Sequence, residues 1–304
     1  MTRTLLAYLR LGGSVLGLVF AFFPAPARAQ IRKTCPEGVV LKVSAGLAMQ
    51  GALLLTEVAG SQRLSEVSSE WDGQAVPLWR ETERSVSLRG LIGVDLEKAP
   101  GHYEWKVAWP GASGRAESCS MTIAVRAGKF PTERLKVENQ FVTPDPEQQK
   151  RIEDDQKKMQ AIYDTVTPER LWEGKFRLPL KEVTAGGNFG RRRILNGQPR
   201  SPHAGVDFPA AAGTAVFASQ SGKVVLAENL YYSGNTVVVD HGYGIYTMYC
   251  HLSKIEVPAG EPVKVGAEIG KVGATGRVTG PHLHWGLTIR HSRVNGMQIA
   301  QREP

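Results

Sequence analysis

The last third of the chain holds histidines and an aspartate whose types and spacing could bind a metal and move protons. His282-Leu283-His284 lies in a run that reads as a strand. Side chains alternate along a strand, so the two histidines share a face and Leu283 points to the other side. Upstream, His203-Ala204-Gly205-Val206-Asp207 sets an imidazole and a carboxylate four residues apart, and Tyr249-Cys250-His251-Leu252 adds another imidazole. A helix would bring His203 and Asp207 onto one face, but Pro202, Gly205 and Pro209 argue for a loop or strand edge. Zinc favours neutral imidazole and carboxylate ligands, and a catalytic site keeps three protein ligands with one open position. His203, Asp207 and one of the paired histidines would supply that set. His251 and the other member of the pair are then candidates for handling protons. Singly, each fragment has a plainer explanation as a surface hydrogen bond, a core histidine or a cross-strand neighbour. Together in one glycine-rich stretch, they are poorly explained by coincidence.

The elements that must position these residues read as strands and turns. From Phe176 onward, Thr214–Ala218, Gly222–Ala227, Gly234–Asp240, Ile245–His251 and Gly270–Gly273 are strand-like, with glycine at nearly every turn and little helical periodicity. A compact, mostly antiparallel β-domain follows, here given the limits 176–304. Residues 31 to about 128 are also all-β. Tyr103–Trp109 alternates large apolar with polar or small residues, and Gly38–Val43, Ala52–Val58 and Met121–Val125 add further runs. An immunoglobulin-like sandwich is expected over 30–128. Between the two, residues 129–175 form a charged connector. Asp145 is placed to cap a helix that begins at Pro146, and Ile152, Met159, Ile162, Tyr163 and Val166 fall near one stripe of it. Thr167–Trp172 reads as the start of a second short helix. The chain as a whole is therefore mainly β.

At 304 residues there is room for two domains with separate cores. The net charge of +8 suits an anionic partner, and by charge alone a polyanionic cell wall or membrane surface fits as well as nucleic acid. No basic run with interleaved aromatics points to nucleic acid, which is excluded as a partner. The first 29 residues carry Arg3 and Arg10, an apolar core from Leu11 to Phe23, and Ala27-Arg28-Ala29 as a small-x-small cleavage site. This pattern predicts an export signal over 1–29, a periplasmic or secreted protein of Gram-negative type, and no stable membrane insertion after cleavage. In an oxidising compartment Cys35 and Cys119 are expected to pair across the sandwich. Cys250 remains, and strand alternation sends it away from His251 as a small buried thiol.

The segment from about 188 to 286 resembles the LytM/lysostaphin-type zinc metallopeptidases that cut peptide bonds in bacterial peptidoglycan. The resemblance rests on His203-x-x-x-Asp207, Tyr249-x-His251-Leu252 and Gly276-x-x-x-Gly280-Pro281-His282-Leu283-His284-Trp285, in the family's order. It covers about a third of the chain. It implies one zinc per chain, held by His203, Asp207 and His284, with His251 and His282 as the catalytic pair that is not bound to metal. The implied activity is hydrolysis of peptide cross-links in peptidoglycan, with zinc-activated water as nucleophile and stem peptides as the partner. The other reading is a wall-binding or amidase-activating protein that keeps the fold without turnover; the complete residue set speaks against it. Asn188-Phe189-Gly190 would form one wall of the groove, and Arg191-Arg192-Arg193 could bind a stem-peptide carboxylate or be an exposed turn. Tyr243, Tyr249 and Asn235 could line the groove or simply pack. His241 is expected to be structural. The sandwich and the connector, outside the resemblance, are a candidate cover for the groove.

Overall fold

A computed structural model describes residues 30–182 and 186–301 of the chain; the expected export signal lies outside them. The N-terminal part is a sandwich of two five-stranded sheets. One sheet is built around Leu53–Ala59, which pairs with Val40–Val43 on one side and Leu88–Gly93 on the other. The second is built on the long antiparallel pair Gly101–Pro110 and Ala116–Arg126. The alternation seen in Tyr103–Trp109 is what faces these sheets together. Trp105, Val107 and Trp109 point inward and are buried against Leu41, Val43, Leu54 and Ile92 of the other sheet. Cys35, just after the edge strand Ile31–Thr34, is bridged to Cys119 in the last long strand with Cα atoms 6.0 Å apart. The bridge ties the first and last strands of the sandwich, as expected.

The connector contributes one long helix, Pro146–Asp164. Its start is fixed by a capping box. The Asp145 side chain accepts from the Gln148 backbone N–H, and the Gln148 side chain accepts from the Asp145 N–H. Ile152 is buried, and Met159, Ile162 and Tyr163 pack on Leu226, Leu230, Val238 and Tyr246 of the C-terminal sheet. Residues 167–172 do not continue as a second helix. They bend at Pro168 and Glu169 instead, with Thr167 and Leu171 recruited by backbone hydrogen bonds to Tyr243 and His241. Trp172 is buried between Trp79 and Tyr243 instead. Tertiary partners override a weak local helix signal here.

The C-terminal part is a nine-stranded sheet whose main path runs Gly205–Pro209, His282–Ile289, Ile245–Ile255, Gly234–Asp240, Gly222–Leu230 and Pro262–Val263. Its neighbours are antiparallel. The sandwich does not stand apart from it. Leu53, Trp79, Leu91 and Leu96 belong to the same buried cluster as Ile289 and Val294. Arg293 grips Asp95 with two hydrogen bonds, Nε–Oδ2 at 3.0 Å and Nη2–Oδ1 at 2.7 Å.

His241 is structural, as the sequence suggests. It is fully buried, with Nδ1 beside Ser221 O at 2.8 Å and Nε2 beside the Thr247 hydroxyl at 2.7 Å. Burial pushes its pKa down to about 4. The unfolded chain, with histidine near ~6.5, therefore binds more protons than the folded chain between about pH 6.5 and 4. Stability from this site is complete above about pH 6.5 and falls as the pH drops toward 4. Between pH 7 and pH 5, His241 is expected to cost the wild type about 2 kcal/mol that a His241→Gln variant does not lose. Urea unfolding of both proteins at the two pH values measures it; parallel losses would show that other groups carry the acid sensitivity.

Candidate functional site

The site is assembled by three adjacent strands and one loop. Antiparallel register sets Asp207 opposite His284, and His284 opposite Cys250. Gly205 pairs with Gly286 next to this row. A Cβ at Gly205 would lie 2.5 Å from His284 Nε2 and 2.7 Å from Trp285 O, so only glycine lets the His284 ring sit this close. His203 enters from the segment just before the strand Gly205–Pro209. Leu283 points into the core and is fully buried.

His203 Nε2, His284 Nδ1 and Asp207 Oδ1 form a triangle. The edges are 2.8 Å between the imidazoles, 2.9 Å from His203 to Asp207 and 2.8 Å from His284 to Asp207. His203 Nδ1 lies 3.0 Å from Asn188 O. Donating there, it leaves Nε2 as a lone pair. The Asn188 side chain in turn donates to Asp207 Oδ2 at 2.7 Å and accepts from the Asp207 backbone N–H at 2.9 Å. A single proton on His284 Nδ1 would have to serve both neighbours at once. One cation between them serves all three, and this is the only such group of ligands among the described residues. The protonation states suit a metal as well. Burial pushes His203 down to about 4, so its imidazole is neutral. Burial works to raise Asp207, but its close contacts with the His203 and His284 imidazoles outweigh it and hold the carboxyl well below the usual range. A neutral imidazole at His203 beside an ionised carboxylate is what zinc requires there.

His251 and His282 stand beside the triangle. Their ring centroids are 4.9 Å apart, and that of His251 is 5.9 Å from that of His284. Each is anchored through Nδ1 to a backbone carbonyl, His251 to Thr275 and His282 to Gly280, both at 2.8 Å. Donation there leaves Nε2 of each ring as the acceptor, and His282 Nε2 lies 3.8 Å from Asp207 Oδ1. Burial, with the neighbouring imidazoles of His284 and His282, lowers His251 to about 3.

His251 reaches this place through a feature the sequence does not reveal. Its φ is +64°, and the pairing of Gly234–Asp240 with Ile245–Ile255 shifts register beside it. This left-handed residue breaks the alternation expected of Tyr249-Cys250-His251. Cys250 consequently faces His284 across the ladder rather than taking the face opposite the site residues. Its burial does follow expectation, and the thiol is pushed up to about 12, so it is inert as a nucleophile.

Other expectations divide. Asn188 orients Asp207 and His203 instead of only lining a wall. Tyr249 is buried with its hydroxyl accepting from Ser219 N, Tyr243 packs on Trp79 and Trp172, and Asn235 donates to Leu252 O, so none of the three lines the groove. The cavity at the site is small, about 70 Å³, and its walls include Glu133, Leu135 and Val137 of the connector. The strand Thr132–Leu135 pairs in parallel with Arg192–Leu195 and so brings the connector to the site. Arg277 lines the same cavity, although as a variable position inside Gly276-x-x-x-Gly280 it carried no signal of its own.

The segment that carries this site matches known proteins. Residues 201–296 match the model described as Peptidase family M23. The chain is 48% identical over 112 residues to the peptidoglycan DD-endopeptidase ShyA of Vibrio cholerae, covering 36% of this chain and 26% of that one. It is 39% identical over 118 residues to the peptidoglycan DD-endopeptidase ShyB of the same organism, covering 39% and 28%. The aligned stretch thus spans little more than a quarter of either relative. A crystal structure of a peptidase M23 from Pseudomonas aeruginosa superposes with a TM-score of 0.58 at 28% identity, covering 83% of this chain and 94% of that one.

Proposed function

Because residues 201–296 form a domain of Peptidase family M23, we propose that the chain is a zinc-dependent endopeptidase that hydrolyses peptide cross-links in bacterial peptidoglycan. The observation that carries the proposal is the triangle of His203, Asp207 and His284 with two further imidazoles beside it. The three would hold one zinc, with Asn188 fixing the carboxylate and the His203 tautomer from behind. A bound zinc supplies Lewis acidity to the scissile carbonyl and to the attacking water. His251 and His282, neither needed as ligands, divide two tasks between them. One accepts the proton from the nucleophile at Nε2 and returns it to the leaving amine, and the other stabilises the negative charge growing on the carbonyl oxygen, for which its Nε2 must carry a proton. The backbone carbonyls of Thr275 and Gly280 lock both rings with Nε2 as the working atom.

The limits that fit this reading are a sandwich over 30–128, a connector over 129–175 and a peptidase domain over 176–304. Action on the wall outside the cytoplasm accords with an export signal in residues 1–29. The test is direct. Protein from residue 30 onward is expected to contain about one zinc per chain and to release soluble muropeptides from purified sacculi. Zinc-loaded protein that leaves sacculi intact but stimulates an amidase would overturn the enzymatic reading.

A further inference from the structure

The cavity beside the donor triangle is too small to admit a cross-linked peptide. At about 70 Å³ it has room for about two waters, at ~30 Å³ each. Pockets that take even a drug-sized ligand run to ~300–1,000 Å³. Part of what closes the cavity belongs to the connector. Between the sandwich strand that ends at Arg126 and the helix that begins at Pro146, residues 131–142 cross the face of the peptidase domain. Glu133, Leu135 and Val137 line the cavity, whereas Thr132, Arg134 and Lys136 are exposed. Strand alternation thus turns one face of this segment to the site.

The segment is held along its edge by polar contacts more than by burial. Thr132–Leu135 pairs with Arg192–Leu195, and Glu133 forms an ion pair with Arg191 at 3.1 Å. Asn196, left-handed at φ +47° in the turn before Gln198–Arg200, acts as a clasp. Its backbone N–H donates to Leu135 O at 3.0 Å. Its side chain accepts from the Val137 N–H at 3.0 Å and donates to Val137 O at 2.9 Å. Further on, Arg200 donates to Val142 O at 2.6 Å, and the Phe141 ring meets Tyr231 edge-on with centroids 5.5 Å apart. Within residues 131–142 only Val142 is buried. The sandwich is fixed in another way, with Leu53, Trp79, Leu91 and Leu96 inside the core it shares with the peptidase domain. A segment with few buried apolar contacts opens at much lower cost than one built into a core.

We propose that residues 131–142 are an autoinhibitory strap, which lifts off the strand Arg192–Leu195 before a peptide can reach the donor triangle, while the sandwich stays docked. The identity of the peptide rests on the endopeptidase reading; the covering of the site does not. The strap is tethered at both ends by docked elements, so it recloses as an intramolecular event, independent of protein concentration.

The experiment compares the full protein from residue 30 onward with variants that loosen or lock the strap. Asn196→Gly removes the side-chain clasp and keeps the left-handed backbone available, and Phe141→Ala removes the aromatic anchor. Arg134→Cys combined with Ile194→Cys places two thiols at partner positions of the ladder, where the spacing of neighbouring strands suits a disulfide. Release of muropeptides from sacculi is expected to rise roughly tenfold in the loosened variants, the scale of one or two lost hydrogen bonds. It is expected to be lost in the oxidised lock and to return on reduction, while the same reductant leaves the wild type unchanged. Carbethoxylation of His251 and His282 by diethyl pyrocarbonate, read by mass spectrometry, needs no turnover. It should be faster than wild type in the loosened variants and slowest in the oxidised lock. A purely structural role would lower the Tm of the loosened variants without speeding either readout. Equal release and equal labelling in the oxidised and reduced lock overturn the strap and leave the peptidase reading intact. If no form cuts sacculi, the peptidase reading falls, and the labelling still decides whether the strap covers the site.

Discussion

His284→Ala is expected to remove both the metal and the activity. One corner of the donor triangle disappears, and His203 with Asp207 cannot hold zinc in a closed set. Loss of the metal removes several kcal/mol of transition-state stabilisation, so turnover on sacculi should fall at least ~10³-fold, with metal content near zero. His251→Ala is the contrasting case. It should keep the zinc and still lose roughly 10²–10⁴-fold in kcat, the range of a positioned proton carrier. Metal analysis beside steady-state rates separates the two. Full zinc occupancy in His284→Ala, or loss of zinc in His251→Ala, would show that the ligand set has been drawn wrongly. Folding is not expected to confuse the result. Removing one of three lone-pair donors crowded at 2.8–2.9 Å relieves the metal-free protein. Its thermal midpoint should therefore not fall below that of chelated wild type.

Breaking the Cys35–Cys119 bridge by a double Cys→Ser substitution is expected to cost stability on a larger scale than any surface change. The two cysteines are 84 residues apart, and closing a loop of that length lowers the entropy of the unfolded chain by about 4–5 kcal/mol at 25 °C. The edge strand Ile31–Thr34 is mostly exposed, so little apolar burial would hold it once the bridge is gone. Guanidinium unfolding of oxidised wild type against the double variant measures the difference. A change below about 1 kcal/mol would show that the core around Trp105 and Trp109 holds the sandwich without help from the bridge. Zinc content should be unaffected in native buffer, since no ligand lies in the sandwich. Cys250→Ala should not reproduce the loss, because that thiol is buried and unpaired.

By itself, the sequence determined the residue types of the candidate site and the type of the elements that carry it. Alternation put His282 and His284 on one face with Leu283 buried, the Asp145-Pro146 signal started the helix, and the cysteines paired as their spacing and compartment suggested. These features are local, and side-chain period, capping and redox context are all written in short stretches of chain. The tertiary structure decided what depends on register between distant strands. It set Asp207, His284 and Cys250 in one row, against the alternation expected for Cys250, and turned His251 toward the site through a left-handed residue at a bulge. It drew residues 167–172 out of a helix to bury Trp172, moved Asn188 behind the ligands, and sent Tyr243 and Tyr249 into packing. It also brought Arg193 and Arg277, 84 positions apart in the chain, to the same cavity. No local pattern encodes such a meeting, because it follows from strand pairing and shared burial across the whole sheet.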